Sequence, residues 1–108
     1  GGKHALYSAF QCLLDQGDEV LIPAPYWVSY VEMVKLAGGR PVFVRSEERD
    51  GFRLRPEAVR AALTPRSRVL IVNSPSNPTG AGLDRAGLEA LAAIAVERDL
   101  YLLSDEIY

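Results

Sequence analysis

The stretch VLIVNSPSNPTG, residues 69–80, decides the fold class of this 108-residue chain. Its first four residues are aliphatic, and a short apolar run bounded by turn residues is typical of a strand that is buried on both faces. Asn, Ser, Pro and Gly dominate the residues that follow, 73–80, and predict a stiff polar turn at the end of that strand. Such a turn either only redirects the chain or holds a group in a fixed place.

The rest of the chain repeats this strand signal and alternates it with helical spacing. Further short apolar runs predict strands at 19–22, 41–45 and 100–103, with the quoted strand at 68–73. Apolar residues recur with helical spacing in 4–15, 27–37, 56–63 and 85–98, where Pro56 suits a first helical turn and Asp84 an N-cap. This order predicts an α/β fold of three layers, with a parallel sheet and helices on both of its faces.

The composition is that of a globular protein, with 48% hydrophobic and 24% charged residues and a net charge of −2. No basic patch indicates a nucleic-acid partner, and no apolar run approaches the ~18 residues of a membrane span. Cys12 is the single cysteine, which excludes an internal disulfide, favours a cytoplasmic setting and offers no metal cluster. Its place near the apolar side of the first helix predicts a buried thiol. Because the chain starts without methionine and stops directly after an apolar run, we expect it to be part of a longer protein.

Open parallel sheets bind ligands beyond the carboxyl ends of their strands. This rule selects residues 23–27, 74–80 and 104–108, together with 1–3, where two glycines precede a helix whose N-terminus favours an anion. Each stretch alone has a simpler explanation: the two glycines as a turn before a helix, Trp27 as a core aromatic, Asn77 as a turn residue, and Asp105 as a helix cap. Their expected convergence at one edge favours a ligand site.

The motifs of these stretches resemble those of a known family. GGKHAL at 1–6, PAPYWVSY at 23–30, SPSNPTG at 74–80 and SDEIY at 104–108 are similar to the large domain of fold-type I pyridoxal-phosphate enzymes, in the same order. The closest likeness is to class I aminotransferases of the bacterial aspartate aminotransferase kind. The resemblance implies that residues 1–108 are part of the cofactor-binding large domain, and that the bonds before Pro25 and Pro78 are cis. It also implies that the four strands lie side by side in sequence order, with the three crossover helices on one face and helix 4–15 on the other.

The resemblance assigns roles to six residues, all of them toward pyridoxal 5'-phosphate. The backbone N–H groups of Gly2 and Lys3 would bind its phosphate, and Trp27 would stack on its ring. Asn77 and Tyr108 would bind the phenolic oxygen, and Asp105 would pair with the ring nitrogen. A carboxylate at that nitrogen favours the protonated ring, which withdraws electrons from the substrate.

Two features depart from the family pattern. Many relatives have a small hydroxyl residue where Lys3 stands, so its side chain either adds charge near the phosphate or points to solvent. The Schiff-base lysine has no match either, because Lys3 and Lys35 are the only lysines and neither lies in the right place. We therefore expect no catalytic residue within residues 1–108 and no activity of this segment by itself.

The resemblance implies a cytoplasmic, homodimeric aminotransferase that exchanges an amino group between an amino acid and a 2-oxo acid, of the aspartate or aromatic type. A cofactor-binding regulator domain without activity, or a lyase or synthase of the same fold, would share these motifs. A dinucleotide-binding domain is disfavoured, since neither G-x-G-x-x-G nor the acidic residue expected ~20 residues later is present.

Overall fold

A computed structural model describes residues 1–106 as a sheet of four parallel strands with helices on both faces. The strands are β1 (Glu19–Ala24), β2 (Arg40–Arg45), β3 (Ser67–Asn73) and β4 (Tyr101–Asp105). All three strand pairs are parallel. The central residues of β1 and β3 are fully buried without alternation, as expected of strands covered on both sides. The predicted α/β class and the three layers are therefore confirmed.

Four α-helices occupy the predicted positions: α1 (Gly2–Leu13), α2 (Ser29–Leu36), α3 (Pro56–Ala62) and α4 (Arg85–Glu97). A short 3-10 helix, Glu48–Asp50, lies in the charged loop after β2. The local signals behave as predicted: Pro56 starts α3, and the Asp84 carboxylate accepts the N–H of Gly87 at 2.8 Å as the N-cap of α4. No helix within residues 1–106 has the length and apolar character that crossing a membrane requires.

The strand order in the sheet is β2-β1-β3-β4, so the expected sequential order is wrong. The chain moves from β1 to β2 in one direction, and then from β2 back past β1 to β3 in the other direction. Because crossovers are right-handed, a reversal of direction moves the connecting helix to the opposite face of the sheet. The helix of the first crossover, α2, therefore lies on one face, and α3 and α4 lie on the other.

Each face of the sheet is thus covered by two helices, and the expected division into three and one is wrong. On one face, called here the α1/α2 face, Phe10 of α1 and Val34 of α2 pack against the side of the sheet that presents Ile22 and Ile71. On the opposite face, Val59 of α3 and Leu91 of α4 pack against the side that presents Leu70. On the α1/α2 face, the N-terminus of α1 lies at the carboxyl edge of the sheet.

Cys12 is exposed, so the predicted buried thiol is wrong. The buried residues of this part of the chain are Phe10 and Leu14. Cys12 is two positions from each of them, which is ~200° around a helix at ~100° per residue. Its side chain therefore points away from the sheet.

Candidate functional site

Four segments meet at the carboxyl edge of the sheet, on the α1/α2 face, around a cavity of about 550 Å³. They are the start of α1, the turn before α2, the end of β3 with the loop after it, and the end of β4. The crossovers that follow β1 and β3 run to opposite faces, so the cavity lies beside a topological switch point, where open α/β sheets bind their ligands. Its volume is within the ~300–1,000 Å³ typical of small-molecule sites.

The N-terminus of α1 forms one wall of the cavity, through Gly2 and Lys3. The N-cap residue, Gly1, supplies no side chain to the first N–H groups of the helix, so these donors remain available to an anion. A Cβ built on Gly2 would meet no atom within 4 Å, which shows open space directly above this backbone.

Lys3 and Trp27 face each other across the cavity wall. The Lys3 Nζ lies over the Trp27 ring, 5.7 Å from its centroid, at a distance that allows a cation–π interaction. The ammonium of Lys3 therefore adds positive charge beside the first turn of α1. It covers one face of the indole, so a ring stacked on Trp27 either uses the other face or displaces this ammonium.

Asp105, at the end of β4, receives a hydrogen bond from the hydroxyl of Tyr30. The Tyr30 Oη lies 2.5 Å from Asp105 Oδ2, a short distance typical of an O–H donor on a carboxylate. The Tyr30 side chain is only 2% exposed, and its ring also meets Trp27 edge to face, with the centroids 5.4 Å apart. Tyr30 thus contacts two of the predicted cofactor residues.

Asn73, the last residue of β3, connects the strand ends with the loop that contains Asn77. Its Oδ1 accepts the backbone N–H of Asn77 at 2.7 Å, and its Nδ2 donates to the backbone carbonyl of Asp105 at 3.1 Å. Sequence reasoning missed this role and that of Tyr30. Signals existed for both: Tyr30 follows Trp27 at helical spacing, and Asn73 ends a strand in which alternate residues share a face.

The loop after β3 is held by bonds of its own. The backbone N–H of Ser76 donates to the Ala81 carbonyl at 2.8 Å, and the Ser74 Oγ accepts the Leu83 N–H at 2.9 Å. The bonds before Pro25 and Pro78 are cis, as the resemblance implied, and the bond before Pro75 is cis as well. The loop therefore presents Asn77 to the cavity from a closed, internally bonded turn.

Of the six predicted cofactor residues, five line this one cavity: Gly2, Lys3, Trp27, Asn77 and Asp105. The sixth, Tyr108, lies outside the described residues, 1–106. The position of the five is a finding of the structure, and their role in holding a cofactor stays a prediction. Among these residues, and in the rest of the described chain, no group of three or more His, Cys, Asp or Glu side chains is arranged to hold a metal ion.

Comparison with known proteins relates the whole chain to one family. Residues 1–108 match the model of the family described as aminotransferase class I and II. The chain is 58% identical, over its full length, to an aspartate/prephenate aminotransferase of Thermus thermophilus, and 54% identical to an aspartate aminotransferase of Geobacillus stearothermophilus. It spans 28% of the length of each of these relatives.

Solved structures give the same relation. The fold superposes with a TM-score of 0.98 on a Thermus thermophilus aspartate aminotransferase determined with maleate, at 58% identity. It superposes equally well, with a TM-score of 0.98 and 46% identity, on an aromatic aminotransferase of Pyrococcus horikoshii. Each match covers all of this chain, and it covers 28% of the first and 29% of the second structure.

Proposed function

This chain belongs to the class I and II aminotransferases, and we propose that it is the cofactor-binding part of an enzyme that exchanges an amino group between an amino acid and a 2-oxo acid. Residues 1–108 would form part of the large domain of that enzyme, with pyridoxal 5'-phosphate as the cofactor. The observation on which this depends is the grouping of Trp27, Asn77 and Asp105 around a single cavity.

The chemistry of the groups around the cavity fits pyridoxal phosphate. The uncapped N–H groups at the start of α1, with the Lys3 ammonium beside them, suit its phosphate. The Asn77 amide suits its phenolic oxygen, and the Trp27 indole offers a flat apolar face to its ring. The Asp105 carboxylate is the acceptor that a protonated ring nitrogen requires. Together these groups match the cofactor from its phosphate to its ring nitrogen.

When bound, the cofactor supplies an electron-withdrawing ring that allows the amino-acid Cα to lose its proton. The described residues would orient this ring and favour its protonated form. Asp105 is held for that task by the Tyr30 hydroxyl, which fixes the direction of its carboxylate. Trp27 would set the plane of the ring, and the edge-to-face contact with Tyr30 fixes the indole in turn.

For the substrate we propose the aspartate or aromatic type. What supports this is the naming of its relatives as aspartate, aspartate/prephenate and aromatic aminotransferases, one of them solved with the dicarboxylate maleate. The proposal also includes a cytoplasmic homodimer. The cytoplasmic setting is in keeping with the free thiol of Cys12, and the homodimer rests on the family resemblance alone.

The test is to purify the full-length protein and to measure the uptake of pyridoxal phosphate by its visible absorbance, followed by amino transfer from aspartate to 2-oxoglutarate. We expect tight cofactor binding and transfer that shows ping-pong kinetics. Absence of cofactor uptake by the folded protein would refute the proposal. Uptake without transfer to any 2-oxo acid would favour the regulator or lyase alternatives instead.

The segment 1–108 serves as the comparison in the same assay. It has no match to the covalent lysine of the family, because Lys3 and Lys35 are its only lysines. We expect it to be inactive under conditions in which the full-length protein turns over. Turnover by the purified segment would show that the assignment of the covalent lysine is wrong.

A further inference from the structure

Asn73 lies where two strands and one loop of the site meet. It is the last residue of β3 and the register partner of Asp105, the last residue of β4. Alternate residues of a strand share a face, so Asn73 follows Val69 and Ile71, which pack on the α1/α2 face. The apolar series of that face thus ends in a half-buried amide at the cavity.

The amide of Asn73 makes two hydrogen bonds of opposite sense. Its oxygen accepts from the Asn77 backbone at 2.7 Å, and its nitrogen donates to the Asp105 carbonyl at 3.1 Å. The Ser74 N–H approaches the same carbonyl at 3.4 Å. The amide carries an acceptor and a donor on one planar group, and it joins the two backbones through both of them.

We propose that Asn73 is a positioning residue that sets the separation between Asn77 and Asp105. The inference rests on the proposed function, in which Asn77 and Asp105 bind different edges of one rigid cofactor ring. Because a rigid ring fixes the distance between its own polar atoms, the residues that bind them must be held at a matching distance before it arrives. Asn73 would achieve this through the hydrogen bonds that it makes to the two backbones.

The first experiment concerns the full-length protein after removal of its cofactor. Asn73→Ala removes the acceptor of the Asn77 N–H, so hydrogen exchange of the peptide that contains Asn77 should become at least about threefold faster. Thr79→Ala is the matched control, because Thr79 is a half-buried residue of the same loop whose Oγ1 accepts the Ala81 N–H at 3.1 Å. Equal exchange at Asn77 in wild type and Asn73→Ala would overturn the inference, whether or not the protein binds pyridoxal phosphate.

The second experiment measures cofactor affinity and the pH at which the visible absorbance of the bound cofactor titrates. Asn73→Ala should weaken binding about tenfold, as expected from two lost hydrogen bonds, and should shift the titration in the same direction as Asn77→Ala. In the Asn77→Ala background, part of the effect of Asn73→Ala should disappear, because the Asn77 side chain that Asn73 positions is already absent. Fully additive effects, or an unchanged titration, would show that Asn73 has a structural role only.

An isosteric variant keeps the inference testable if Asn73→Ala does not fold. Asn73→Asp retains the acceptor that faces Asn77 and loses the donor that faces Asp105. Its Asn77 peptide should exchange at close to the wild-type rate, while its cofactor binding should be at least about threefold weaker than that of the wild type. Wild-type binding by Asn73→Asp would overturn the proposed link to Asp105. Failure of the wild-type protein itself to bind the cofactor would overturn the proposed function. The hydrogen-exchange experiment alone would then decide whether Asn73 positions the Asn77 backbone.

Discussion

The amino end and the carboxyl end of the sheet both contain polar residues and glycines, but these residues have different roles at the two ends. At the amino end, the Glu19 carboxylate is only 6% exposed and accepts the Thr64 hydroxyl at 2.5 Å, while the Gly17 N–H donates to the Gly38 carbonyl at 3.0 Å. At the carboxyl end, polar side chains surround a cavity of about 550 Å³. The polar groups of the amino end close the fold, and those of the carboxyl end leave room for a ligand.

The glycines show the same contrast. A Cβ on Gly39, at the amino end, would lie 2.8 Å from Leu14 Cδ1 and 3.2 Å from the Val34 carbonyl oxygen. A Cβ on Gly2, at the carboxyl end, would meet nothing within 4 Å. Glycine at position 39 is therefore required by packing within the chain. At position 2 the described chain makes no such demand, which leaves close approach of a ligand as the reason that we propose.

The largest expected effect concerns the carboxyl end. Asp105→Asn in the full-length protein keeps the size of the side chain and removes its negative charge, so it should lower amino transfer about 10²–10³-fold, as expected for the loss of one preorganised electrostatic group. Circular dichroism and the unfolding midpoint of the cofactor-free protein should change little. Retention of more than about a third of wild-type activity would exclude Asp105 as the partner of the ring nitrogen.

The next effect separates the two ends directly. Gly39→Ala should lower the free energy of unfolding by ~1–3 kcal/mol, because the added methyl group overlaps buried neighbours. Its folded fraction should bind pyridoxal phosphate with wild-type affinity. Gly2→Ala should do the reverse, with unchanged urea unfolding and weaker cofactor binding. If both variants changed the same quantity, the proposed division between the two ends would be wrong.

Variants of Tyr30 test whether the contacts of Tyr30 hold Asp105 and Trp27 in position before the cofactor binds. Tyr30→Phe removes the hydrogen bond to Asp105 and keeps the ring that meets Trp27, so it should weaken cofactor binding about fivefold, the effect of one hydrogen bond to a charged group partly replaced by water. Tyr30→Leu loses the edge-to-face contact as well and should bind more weakly still. Binding titrations followed by absorbance decide this, and equal affinities for wild type and Tyr30→Phe would exclude a positioning role for the hydroxyl.

Sequence reasoning reached the fold class because short apolar runs and helical spacing are local signals. The strand order was out of its reach, since the right-handed rule relates the direction of each crossover to a face and leaves the direction itself undetermined. The direction depends on which strands pair, as β1 does with both β2 and β3. Cys12 was misplaced because the buried stripe of α1 is narrow and passes through Phe10 and Leu14.

The site was predictable to the extent that it depends on sequence position. Trp27 and Asn77 follow the ends of β1 and β3, and Asp105 is the last residue of β4. Parallel strands bring those ends to one edge. Asn73 was missed because its role depends on the register between β3 and β4, in which it stands opposite Asp105. A single sequence does not determine which residues of β3 and β4 stand opposite each other.

The smallest expected effect is at the exposed ion pairs of the surface. The hydrogen bond from Arg60 lowers the pKa of Glu97, as the one from Arg55 lowers the pKa of Asp50. A carboxyl whose pKa is lower in the folded state stabilises the fold above its unfolded pKa of about 4, and this contribution disappears as the pH falls through the folded value. Arg60→Gln should therefore lower the melting temperature slightly at pH 7 and leave it unchanged near ~pH 2.

Salt provides the control for that prediction. Because both partners of the Arg60–Glu97 pair are about half exposed, with side-chain exposures of 50% and 57%, the difference at pH 7 should shrink in ~1 M NaCl. A difference that grew at low pH would mean that Glu97 stabilises the fold in its neutral form, contrary to the direction of its pKa shift.

In the proposed function, Trp27, Asn77 and Asp105 surround one cofactor ring at the carboxyl edge of the sheet. A crystal structure of the full-length protein grown with pyridoxal phosphate tests it most directly. We expect an Asp105 carboxylate oxygen within ~3 Å of the ring nitrogen, the Asn77 amide at the phenolic oxygen, and the phosphate at the start of α1. A cofactor bound elsewhere, or bound here with Asp105 turned away from the ring nitrogen, would contradict it.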